Sequence, residues 1–193
     1  MESLQAKAII KVLEVLDKLR INYVVGGSFA SSLYGNSRLT NDIDIIVAIR
    51  LAHAGNLAKE LEVEFYIDEE SIKRAIRLGK TFNAIHFESS FKIDFFVAQD
   101  GGLQEKELER RQLITLDTKP QVTFYAASPE DIILAKLDWY RKGGCVSTQQ
   151  WNDIAGVIKV QQERLDIEYL KQWAQELGVS DLLVRALEEA TVE

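Results

Sequence analysis

Apolar residues recur at helical spacing near the start of the chain. Ile9, Ile10, Val12, Leu13, Val15, Leu16 and Leu19 line one side of residues 2–20, with Lys7, Lys11, Lys18 and Arg20 on other faces; the pattern predicts an amphipathic helix. Tyr23, Val24 and Val25 then form a β-branched run closed by Gly26 and Gly27, which predicts a short strand. Ser28 to Tyr34 suits a short helix with Gly35 as its stop. A second strand is expected over Ile43 to Ile49, followed by helices over Ala52 to Leu61 and Glu69 to Leu78.

Two alternating runs come next, Phe82 to Glu88 and Phe91 to Val97, joined at Ser89-Ser90 as in a hairpin. In the second run Phe91, Ile93, Phe95 and Val97 share one face, and Lys92, Asp94 and Phe96 share the other. A charged helix over Gln104 to Arg111 and short strands around Leu113–Leu116 and Gln121–Tyr125 complete this half. From Ser128 the texture changes. Ser128-Pro129-Glu130-Asp131 carries the signals of a helix start, and helical segments follow near 128–141, 148–161, 166–177 and 180–191. The pattern predicts an α/β unit over 1–127 and an all-helical unit over 128–193.

Composition narrows the class. The chain has 193 residues, 47% of them hydrophobic and 27% charged, enough for one good core or a core with a small appendage. Its net charge of −7 argues against a broad nucleic-acid-coating surface. Two local basic groups stand out, Lys73, Arg74, Arg77 and Lys80, then Lys106, Arg110 and Arg111; solvated helix faces are the plainer account of both, with a local basic patch as the alternative. The lone Cys145 excludes an internal disulfide and a multi-cysteine zinc site, and fits a reducing compartment. The first twenty residues lack the layout of a signal peptide. No run approaches the roughly 18 apolar residues of a membrane span. Cytoplasmic placement, with no membrane partner, is the expectation.

The candidate chemistry lies in residues 24–47, VVGGSFASSLYGNSRLTNDIDIIV. A glycine turn at a helix start lets backbone N–H groups approach phosphate. Asp42 and Asp44, two apart on a strand, point the same way, and a divalent cation relieves their repulsion. Solvent-facing strand-entry aspartates are the plain alternative. Asp94 sits mid-strand, where a lone carboxylate serves stability poorly. Arg38 is placed to bind a triphosphate oxygen or to cap a turn, and Lys136 to bind a nucleotide or to snorkel from an apolar helix. Trp139, Trp151 and Trp173 read as core residues of the tail, with Trp139 or Tyr140 as candidates to stack on a base.

Gly26, Gly27 and Ser28, then Asp42 and Asp44, then Asp94 on a later strand, resemble the pattern of the nucleotidyltransferase superfamily related to DNA polymerase β. The tail, with ASPEDIILAKLDWYRKGG, WNDIAGVI and LDIEYLKQWAQELG, resembles the minimal prokaryotic nucleotidyltransferases and, more narrowly, the AbiEii-like toxins of type IV toxin–antitoxin systems. The resemblance implies a mixed α/β sheet flanked by helices and followed by a C-terminal helical bundle. It implies that Asp42, Asp44 and Asp94 are catalytic and hold one or two Mg2+ ions. It assigns Gly26, Gly27, Ser28, Arg38, Lys136 and Asp153 to nucleotide binding. The implied activity is transfer of a nucleoside monophosphate from an NTP to a hydroxyl of a tRNA end or a protein side chain, with a cognate antitoxin or toxin as partner. An antibiotic acceptor is a further option. A non-catalytic NTP-binding or protein-interaction module on the same fold is the alternative.

Overall fold

The computed structural model describes residues 4–36, 40–116 and 121–191. Arg38 lies outside the described residues. The elements run α1 (Leu4–Lys18), β1 (Tyr23–Val25), α2 (Gly27–Tyr34), β2 (Asp42–Val47), a 3-10 turn, α3 (Ala54–Leu61), β3 (Phe65–Tyr66), α4 (Glu69–Leu78), β4 (Thr81–His86) and β5 (Lys92–Val97). Then come α5 (Leu103–Arg110), β6 (Gln112–Leu116), β7 (Val122–Ala126), α6 (Pro129–Lys142), α7 (Thr148–Gln161), α8 (Ile167–Glu176) and α9 (Ser180–Thr191). The strands form one mixed sheet in the order β3-β4-β5-β2-β1-β7-β6. β1 runs antiparallel to β2 and parallel to β7, whereas β2 and β5 are parallel.

Alternation along the strands sorts side chains onto the two faces of the sheet. Ile43, Ile45 and Val47 of β2 and Ile93, Phe95 and Val97 of β5 join a core with Val12 and Leu16 of α1, Leu57 and Leu61 of α3 and Ile72 of α4. Val24 and Ile46, register partners on β1 and β2, face the other way. They join Ala30 of α2 and a second cluster built from the tail, including Ile132, Ile133, Leu137, Ile154, Val157 and Leu170. The tail helices thus cover the face of β2 that carries Asp42 and Asp44, by the same two-residue period.

Local signals set the element ends. Asp68 caps α4 by accepting from the Ser71 amide at 2.7 Å, and Gly79 ends that helix in the left-handed region at φ 58. Ser128 caps α6 by accepting from the Asp131 amide. The expected elements form, with shifts of one or two residues at several ends and one added strand. β2 starts at Asp42 instead of Ile43, because Asp42 pairs with Lys92 on β5. α2 starts at Gly27, one residue early. The short β3, two residues paired with His86 and Ile85, carries too brief a pattern to announce itself. Among the described residues no helix is long and apolar enough to cross a membrane.

Phe95 is fully buried and stacks on Phe82, ring centroids 4.6 Å apart. Phe95→Ala is expected to cost about 3–5 kcal/mol by lost burial and cavity formation, read as a shift in the urea midpoint.

Candidate active site

The parallel pairing of β2 with β5 brings the acidic residues together. Asp44 and Asp94 are Cα partners across the ladder, and Asp42 is the partner of Lys92. All four project from the face opposite the Ile43–Ile93 core. Their fixed proximity has an electrostatic cost. The Asp44 carboxyl is pushed up to about 6, first by burial and then by the Asp42 and Asp94 carboxylates, while Lys136 and Lys92 offset part of the effect. Lys92 sits 2.8 Å from Asp94, and Thr40 donates to the Asp42 carboxylate at 2.9 Å.

No group of three His, Cys, Asp or Glu side chains stands ready-made for a metal ion among the described residues. The donor chemistry nevertheless fits a hard divalent cation: three carboxylates share one sheet face, and one of them is held above its ordinary range by burial and, after that, by the other two. A cation there would relieve that repulsion.

The glycine turn abuts this cluster. Gly26 donates its amide to the Asp44 carbonyl at 2.9 Å. Gly27 adopts φ +59 and opens α2, and a Cβ on it would collide with the Asp44 carboxylate. Only glycine satisfies both conditions. The N-terminal turn of α2 therefore faces the carboxylates directly, and its amides offer an anion cradle beside them.

The second wall comes from the tail. A cleft of about 700 Å³ is lined by Gly26, Gly27, Ser28 and Asp44 on one side and by Ala135, Lys136, Trp139 and Asp153 on the other. Lys136 is buried and pairs with Asp153 at 2.9 Å. The two residues expected to bind nucleotide from neighbouring helices thus form one ion pair in the cleft wall. Lys136 is also close enough to Asp44 to act on its ionisation.

Other expectations resolve differently. Trp151 is buried as expected, but Trp139 is 53% exposed, meeting Phe96 edge-on at the cleft rim. Lys106 pairs with Glu109, while Arg110 pairs with Glu130 and stacks on Tyr169, and Arg111 lies over the Tyr125 ring. That basic group is consumed by internal contacts. Lys73 of the first group pairs with Glu69 and Glu70. The burial of Glu107 in the cleft wall was not anticipated; within the charged run of α5, only its four-residue spacing from Leu103 hints at it.

No protein-family profile and no curated protein sequence matches the chain. Solved structures do. The antibiotic-resistance factor ANT(2'')-Ia is 17% identical with a TM-score of 0.59, over 98% of this chain and 99% of that one. The lincosamide antibiotic adenylyltransferase LnuA, solved with lincomycin bound, is 14% identical with a TM-score of 0.52, over 80% and 96% of the two chains. An antigenic nucleotidyltransferase-like protein from Paracoccidioides brasiliensis is 18% identical with a TM-score of 0.51, over 94% and 91%. The chain has the nucleotidyltransferase fold.

Two predictions follow from the site's electrostatics and from its backbone. A raised carboxyl pKa means that the folded state binds its proton more tightly than the unfolded chain does. Above about pH 6 the ionised Asp44 weakens the metal-free fold, and the penalty fades as pH falls from about 6 toward 4. Asp44→Asn is therefore expected to stabilise the metal-free protein by about 3 kcal/mol at pH 7, with the difference from wild type shrinking toward pH 4 in urea titrations. Gly27→Ala is expected to cost about 1–3 kcal/mol in the same assay, through its positive φ and the displaced Asp44.

Proposed function

We propose that the protein is a metal-dependent nucleotidyltransferase that moves a nucleoside monophosphate from an NTP to an acceptor hydroxyl. The observation that carries this reading is the register of β2 with β5. It sets Asp44 beside Asp94, with Asp42 two residues away on the same face and the N-terminus of α2 adjoining. A phosphate cradle next to three carboxylates suits phosphoryl chemistry and little else. The shared fold supports the same reading.

The roles divide by chemistry. The amides of Gly26, Gly27 and Ser28 would bind triphosphate oxygens, and Arg38 would add a bidentate contact. Asp42, Asp44 and Asp94 would hold one or two magnesium ions, which when bound neutralise the triphosphate and polarise the reacting oxygens. Asp94, at the far side of the pair, would take the proton of the acceptor hydroxyl. That oxygen then bonds to the α-phosphorus, the bond from the α-phosphorus to the bridging oxygen breaks, and pyrophosphate leaves. Lys136, held by Asp153, would steady the nucleotide's charge from the tail side of the cleft.

The AbiEii-like resemblance implies a tRNA end or a protein side chain as acceptor, in a toxin–antitoxin setting. LnuA acts on a lincosamide antibiotic, which makes a small-molecule hydroxyl the competing acceptor class. Incubating the protein with Mg2+ and each α-labelled NTP, alone and with total tRNA, a cell lysate or an antibiotic panel, separates them. Label is expected on one acceptor class. Asp42→Ala combined with Asp44→Ala is expected to reduce transfer at least about 1,000-fold. NTP binding without transfer to any acceptor would instead favour a non-catalytic binding module.

A further inference from the structure

Of the buried polar side chains among the described residues, Glu107 alone has no hydrogen-bond or ion-pair partner. Ser31, His86, Ser128, Glu130, Asp131 and Lys136 each have one. Glu107 is 3% exposed, and the little surface it keeps lines the cleft. An unpartnered buried carboxyl is costly, so its retention at the wall of a binding cleft points to a ligand.

The surroundings say which part of a ligand. Glu107 and Leu103, one turn apart on α5, form one wall of a slot; Ile132, Ala135 and Trp139, on one face of α6, form the other. Leu103, Ile132, Ala135 and Trp139 give this part of the cleft an apolar and aromatic lining, as suits a flat ring, while Gln104, Lys136 and Asp138 of the same helices add polar groups. Gly26, Gly27 and Ile46 line the same cleft. Helix α5 packs against β1, β2 and α6. It therefore lies on the side of β2 away from β5 and Asp94, where the acceptor hydroxyl must arrive.

We infer that Glu107 is the residue that reads the nucleobase of the bound NTP, which lies in the slot between α5 and α6 with its polar edge toward the carboxyl. Burial, and after it the Asp131 carboxylate, pushes the Glu107 carboxyl well above the usual carboxylate range. Burial favours the protonated form, which presents an O–H donor beside a carbonyl acceptor, and a nucleobase edge presents an acceptor beside a donor. A purely apolar wall would leave that edge unpaired and weaken binding.

The inference rests on the nucleotidyltransferase reading, and calorimetric titration separates the two. Wild type, Glu107→Leu and Glu107→Gln are titrated with the four NTPs and with ribose 5′-triphosphate, which lacks the base, all with Mg2+. Wild type is expected to bind at least one NTP more tightly than ribose 5′-triphosphate. Glu107→Leu is expected to weaken that NTP about tenfold and leave ribose 5′-triphosphate unchanged. Glu107→Gln, which keeps a donor and an acceptor, is expected to bind as wild type does. The leucine variant removes an unpaired polar group, so its melting temperature is expected to stay at or above that of wild type. Equal NTP affinity in wild type and Glu107→Leu overturns the base-reading role, as does an equal loss for both ligands. No NTP binding by wild type overturns the transferase reading with it.

Discussion

Everything about the site depends on the hydrogen-bonded pairing of β2 with β5. Because the strands are parallel and in register from Asp42↔Lys92 to Val47↔Val97, residues of like parity stand side by side. One parity is Ile43, Ile45, Ile93 and Phe95, buried on the core face. The other is Asp42, Asp44, Lys92 and Asp94. The core face cannot slip without moving every carboxylate, since a one-residue shift would exchange the two sets. Hydrophobic burial on one side of the sheet thereby holds like charges together on the other. The raised pKa of Asp44 reflects its burial first and that repulsion second.

The second constraint is the docking of the tail on that acidic face. Val24 and Ile46, between the carboxylates and the edge of the core, receive the tail helices. A buried polar network locks α6 to its neighbours. Arg110 of α5 reaches Glu130 and Asp131, Tyr169 of α8 donates to Asp131 at 2.6 Å, and the Asp166 amide donates to Glu130. The guanidinium of Arg110 also lies 3.8 Å from the Tyr169 ring centroid. These contacts fix the spacing of α5 and α6, and so the width of the slot that Glu107 lines. Lys136 and Asp153 then complete the cleft wall.

Much of this was legible in the chain. The two-residue period of Phe91–Val97 set Asp94 opposite Ile93 and Phe95, and the same period placed Asp42 and Asp44 together. The glycine turn announced a helix start, and Ser128-Pro129 announced another. Helix α4 matches its pattern at both ends, because Asp68 and Gly79 are strong local signals. Periodicity and capping are properties of neighbouring residues, and they survive in the sequence.

Which strands lie side by side is a different matter. Residues 42–47 and 92–97 are separated by two helices and two strands, and no local signal records that they pair. The same holds for Lys136 and Asp153, joined only when α6 and α7 pack. Trp139 carries the composition of a core residue, yet α6 turns it to the rim, while the charged run of α5 turns Glu107 inward. The sequence by itself determined the elements, their faces and the candidate carboxylates, because backbone sterics and hydrophobic period act over a few residues. Only the tertiary structure decided which of those carboxylates meet, which are paired and which is left facing the cleft alone, because burial and charge proximity are set by the whole chain.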